Sequence, residues 1–118
     1  MEKLSIFAPK QIVDNMIKQT KLSERLYKLR TEKRIASQDV AKILGVAPPM
    51  YSKMERGNRN IKLDYLPILA SLYQIECKEL QSLWIVDKIT ELMQMFSKEA
   101  VDSALSIVTN ERGDDNEE

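Results

Sequence analysis

A chain of 118 residues, 43% hydrophobic and 31% charged, holds enough apolar material for one modest core and little more. One cysteine, Cys77, and no histidine exclude a disulfide framework, a conventional Cys/His metal site and a nucleophile activated by histidine. No apolar run approaches the roughly 20 residues of a membrane span and no signal peptide opens the chain, so a soluble, cytoplasmic, non-enzymatic protein without metal or cofactor is expected.

The formal net charge of zero conceals an uneven layout. Residues 21–82 carry 12 Lys and Arg against 7 Asp and Glu, a net of +5, whereas residues 83–118 carry 3 against 9, a net of −6. A basic middle and an acidic end point to contact with a polyanion in the first and to a different task in the second.

In chain order, Pro9 to Lys18 predicts a helix with proline near its start and Ile12, Val13, Met16 and Ile17 on one face, the core of an N-terminal helical extension over 1–20. Leu22 to about Lys33 predicts the first helix of a domain spanning 21–83, with Leu22, Leu26 and Leu29 as its stripe. Ser37 is the expected N-cap of a second helix, Gln38 to Leu44, in which Val40, Ala41 and Leu44 face inward. Gly45 supplies the positive φ that ends this helix, and Pro48 and Pro49 stand in the first turn of a third, where a missing N–H costs little. Tyr51 and Met54, three apart, pack back against Val40 and Leu44. The spacing of small, glycine and apolar positions from Ser37 to Arg56 describes a helix-turn-helix.

Beyond Gly57, Leu63 to Tyr73 predicts a fourth helix with Asp64 as N-cap, Pro67 in its first turn, and Leu63, Leu66, Leu69 or Tyr73, and Ala70 inward. Glu76 to Leu83 predicts a fifth, burying Cys77, Leu80 and Leu83. Ile85, Ile89, Leu92 and Phe96 then recur as i, i+4, i+7 and i+11, and after a break at Ser97 or Lys98 the pattern resumes with Val101, Ala104, Leu105 and Val108. Two short amphipathic helices over 84–110 fit, and their apolar stripe is expected to form a dimer interface. Residues 111–118 carry charge without apolar residues and read as a disordered acidic tail.

The segments LYKLRTEK, SQDVAKILGV, YSKMERGNR and LPILASLYQI together resemble the lambda-repressor-like, or XRE, family of DNA-binding domains, over roughly Leu22 to Leu83. The resemblance implies an all-α, five-helix domain, here with helical extensions at both ends. It also implies a sequence-specific transcription regulator, a dimeric repressor that reads the major groove of double-stranded DNA with helix 48–56. In the family a buried arginine late in the first helix pairs with a glutamate near the end of the recognition helix, and the matching positions are Arg30 and Glu55. The link from Arg30 to Gln38 is one residue longer than the family pattern.

With Tyr51 and Met54 facing the core, the residues left for base edges are Pro48, Pro49, Met50, Ser52 and Lys53. The prolines offer no donor, which confines them to apolar contact such as a thymine methyl, whereas Lys53 suits guanine O6 or N7. Gln38 matches a backbone-gripping position of the family. Arg56, Asn58, Arg59, Asn60 and Lys62 follow the recognition helix where a phosphate strand would pass, and helix N-termini add amides. An alternative reading is a protein-interaction module, antitoxin-like or anti-regulator, that holds a protein partner through its terminal helices.

Overall fold

The computed structural model describes residues 19–116, with side chains as far as Arg112; the helix expected over 9–18 lies outside the described residues. Six α-helices and no strand occur among them. The first, α1 (Lys21–Glu32), starts at a capping box in which Thr20 Oγ1 accepts from the Ser23 amide at 3.1 Å and Ser23 Oγ accepts from the Thr20 amide at 2.8 Å. Leu22, Leu26 and Leu29 are its buried stripe.

Two helices of eight residues follow, α2 (Ser37–Leu44) and α3 (Pro48–Glu55). Gly45 between them has φ 75°, and a Cβ there would meet no atom within 4 Å. Glycine is needed for its left-handed backbone, not for space. Val40, Ala41 and Leu44 of α2 and Tyr51 and Met54 of α3 are buried together, so the pair is fixed by side chains that the 3.6-residue period already brings to one side. The N-cap of α2 is Ala36, not Ser37, and it makes no side-chain cap. Ser37 is thus the first residue of the helix and Gln38 the second.

Asp64 precedes α4 (Tyr65–Tyr73) in helical conformation without capping it, and Pro67 falls in the first turn, where its missing N–H is harmless. Leu66, Leu69, Ala70 and Tyr73 are buried, but Leu63, expected inward, is 55% exposed because it lies in the turn before the helix. Next, α5 (Cys77–Met93) buries Leu80 and runs ten residues beyond Leu83, where the fifth helix was expected to end. Nothing in residues 77–93 breaks a helix: they include neither glycine nor proline. Trp84 belongs to the domain and not to the extension, since its indole N–H donates to the Ile61 carbonyl at 2.9 Å.

The chain divides into two compact units between Ile85 and Val86. In the first, 14 buried apolar residues from Leu22 to Leu80 form one core, with Ile35, Val46 and Trp84 among those packed at its edge. The second holds the end of α5, a break over residues 94–97 and α6 (Lys98–Asn116). Ser97 caps α6, its hydroxyl accepting from the Ala100 amide at 3.1 Å. Two expectations change here. Phe96 sits in the break, because α5 stops at Met93, and so does not continue the helical stripe of Ile85, Ile89 and Leu92. The backbone is helical through Asn116, so residues 111–116 prolong α6 instead of beginning a tail; adding a residue to an existing helix is far cheaper than nucleating one.

Candidate nucleic-acid interface

Behind α3, a chain of polar side chains sets its angle. The Arg30 Nε donates to Glu55 Oε2 at 2.7 Å and its terminal nitrogen to the Ile35 carbonyl at 2.8 Å. Glu55 is buried, and the hydrogen bond to it raises the Arg30 pKa further above its ordinary value, against the opposing effect of burial. The guanidinium also lies over the exposed Tyr27 ring, 5.6 Å from its centroid. One step deeper, the Tyr51 and Tyr73 hydroxyls share a hydrogen bond at 3.1 Å. Both phenols are pushed above their ordinary range, first by burial; Tyr73 and Glu55 push Tyr51 further up, whereas for Tyr73 the hydrogen bond with Tyr51 pulls down against burial and the Glu55 charge. Three helices, α1, α3 and α4, are joined by these contacts. From outside, the Gln19 side-chain amide donates to the Glu55 carbonyl at 2.8 Å.

Over this frame α3 turns Pro48, Pro49 and Lys53 to solvent, with Met50 and Ser52 half-buried. Past the helix, Arg56 is its C-cap, Gly57 takes φ 77°, and Asn58, Arg59 and Lys62 are exposed. Ser52 and Arg56 meet Ser37, Gln19, Tyr27, Arg30 and Glu55 around a groove of about 400 Å³. The N-terminus of α2 contributes Ser37 to it, ahead of the first helical hydrogen bonds, which the Asp39 and Val40 amides donate to the Ala36 carbonyl. The groove's Glu55 carboxylate is paired with Arg30, so the serine hydroxyls, the exposed Arg56 and the helix N-terminus are left to suit an anion such as a phosphate.

The Helix-turn-helix family model matches residues 26–80. These residues are a helix-turn-helix domain of the lambda-repressor-like family. The domain is similar to the HTH-type transcriptional regulator DdrOP3 of Deinococcus deserti, 40% identical over 60 residues that make up 51% of this chain and 46% of that protein. It is also similar to the HTH-type transcriptional regulator AnsR of Bacillus subtilis, 39% identical over 57 residues, 48% of this chain and 49% of that protein. The chain spans about half the length of these curated relatives.

Within the helix-turn-helix domain, the structure brings Arg30 to Glu55, and Ser52 to Arg56, but it leaves Gln38 and Lys62 outside that groove. Ser37 is the first residue of α2 and Gln38 the second. Arg59 does not simply follow the loop: its Nε donates to Met50 Sδ at 3.3 Å, which holds the guanidinium beside the first turn of α3. Gln19, Tyr27 and Ser37 line the groove without any sequence signal for that role. Ser37 is visible in the sequence only as a cap, and Gln19 and Tyr27 have no periodicity or motif that marks them. Among the described residues no helix is long and apolar enough to cross a membrane and no cluster of potential metal ligands occurs.

Proposed function

We propose that this protein is a sequence-specific DNA-binding regulator of transcription, acting as a dimeric repressor with α3 in the major groove. The observation that carries this reading is the union of a rigid back and a polar front. Tyr51, Met54 and Glu55 are locked inside, while Lys53, Arg56, Asn58, Arg59 and Lys62 stand on the outer side of the same short segment. In the groove, Ser37, Ser52 and Arg56 hold a backbone phosphate, which positions α3 without reading sequence. Lys53 reads a base edge. A single domain buries too little for tight specific binding, so two copies occupy two half-sites. The exposed Ile85 and Leu92, with Ile89 between them on α5, and Phe96 beyond its end supply apolar surface for that pairing. A dimer that occupies its operator excludes other proteins from the same DNA, which is repression.

Selection from a pool of randomised duplexes tests the reading. Enrichment of a sequence with two-fold symmetry supports it. Retention of no sequence over random DNA contradicts it and favours the second reading, a module that binds protein, for which the exposed Pro48 and Pro49 speak. Sedimentation then tests the dimer: a chain ending at Ile85 should stay folded and become monomeric, and a dimer persisting in that chain removes α5 and α6 from the interface.

A further inference from the structure

The tip of α3 is chemically unlike the rest of the interface. Ala47, Pro48 and Pro49 are all exposed, and the two prolines at the first helical positions carry no N–H. The next two amides are already used, since Met50 N and Tyr51 N both approach the Ala47 carbonyl, at 2.9 and 3.3 Å. Ala47 caps nothing with its side chain, and the Met50 sulfur accepts from Arg59. The leading edge of the helix itself therefore offers carbon to the groove: among its own exposed side chains none forms hydrogen bonds before Ser52 and Lys53, and Arg59 stands beside it from the following loop.

In the major groove most base-edge groups are hydrogen-bond donors or acceptors, and the apolar one is the methyl on C5 of thymine. Carbon pressed on the polar edges leaves them desolvated and unpaired, which penalises the wrong base as well as favouring the right one. We propose that Ala47, Pro48 and Pro49 read a C5-methyl pyrimidine, supplied by thymine or by 5-methylcytosine, in each half-site. Pro49 and Lys53 are four apart on one face of α3, about 6 Å along its axis, so the methyl reader and the lysine address different base pairs. This rests on the DNA-binding reading above.

The test begins with the duplex enriched from a thymine-containing pool, resynthesised with deoxyuracil replacing each thymine in turn. Losing one methyl in a half-site should weaken binding about 4-fold, the factor that about 0.8 kcal/mol per buried carbon group gives. In a Pro48→Ser, Pro49→Ser variant, which should melt like the parent because both positions are exposed, thymine and deoxyuracil duplexes should bind alike. At the sensitive position, 5-methylcytosine compared with cytosine separates the sources: a similar gain shows that either methyl serves, and no gain confines the reading to thymine. An enriched duplex on which no deoxyuracil matters overturns the inference and leaves DNA binding intact. A deoxyuracil penalty undiminished in the serine variant overturns the assignment to the prolines. If no sequence is enriched, this inference and the reading beneath it fall together.

Discussion

Residues 19–85 and residues 86–116 carry the same kind of helical hydrophobic pattern and end in opposite states. Among the described residues every buried apolar one lies between Leu22 and Leu80, whereas Val86, Leu92, Met93, Met95, Phe96, Leu105, Ile107 and Val108 are exposed and no described side chain of α6 is buried. A periodic stripe says that a helix has an apolar face; it does not say what covers that face. In the first unit the covering is arranged by short, well-punctuated links such as Gly45 and the turn after α1, which fold each helix back on its predecessor. In the second, α6 has the Ser97 cap and the Lys98–Asp102 pair at 2.7 Å, interactions within or beside one helix and worth at most about 1–2 kcal/mol together.

The sharpest break of that contrast is in the polar frame of the first unit. Changing Glu55 to Ala leaves the largely buried Arg30 guanidinium without its partner and should cost about 3–5 kcal/mol in urea melts. A loss well under about 1 kcal/mol would mean that water already satisfies the pair. Next in size, Leu26→Ala in the core should cost about 2–5 kcal/mol, while Leu105→Ala in α6 should stay within about 0.5 kcal/mol when measured on monomer at high dilution. Equal losses at the two leucines would erase the difference between the units.

A smaller, pH-dependent effect also belongs to the first unit alone. The Tyr51 and Tyr73 phenols are held above their ordinary pKa of 10, so the native state keeps protons that the unfolded chain releases. Their contribution is fully present below about pH 10 and is lost as pH rises further, at up to about 1.4 kcal/mol per pH unit for each tyrosine. Tyr51→Phe should remove about half of that slope in urea melts between pH 9 and 11. An unchanged slope would assign alkaline loss to other groups.

Much of the first unit is legible in the sequence, because its signals are local. Leu22, Leu26 and Leu29, the Gly45 stop, the Pro48–Pro49 start and Tyr51 with Met54 each follow from spacing and backbone chemistry, and the Arg30–Glu55 pair follows from resemblance. Less is legible at boundaries. Ser37 is the better cap than Ala36 by side-chain chemistry, yet the first helical hydrogen bonds, from the Asp39 and Val40 amides, go to the Ala36 carbonyl. Trp84 reads as the start of a new segment, and a hydrogen bond 23 residues away, to Ile61, together with packing at the edge of the core returns it to the domain. In the candidate interface, the exposed residues of α3 can be named from periodicity, but the groove joining Ser37, Ser52 and Arg56 depends on how α1, α2 and α3 cross. The Arg59–Met50 interaction likewise depends on a loop path that no repeat encodes.

The central claim is that α3 reads bases while the groove beside it grips phosphate, and paired titrations test it most directly. Lys53→Ala and Arg56→Ala proteins are to be titrated with the enriched duplex and with random duplex at several salt concentrations. Lys53→Ala should weaken the enriched duplex by about 1–3 kcal/mol and leave random DNA nearly unaffected. Arg56→Ala should weaken both alike and lower the salt slope by about one for each phosphate that the arginine neutralises, so about two for a dimer. If Lys53→Ala weakens both duplexes equally, or neither variant changes binding, the account of α3 as the reading helix is contradicted.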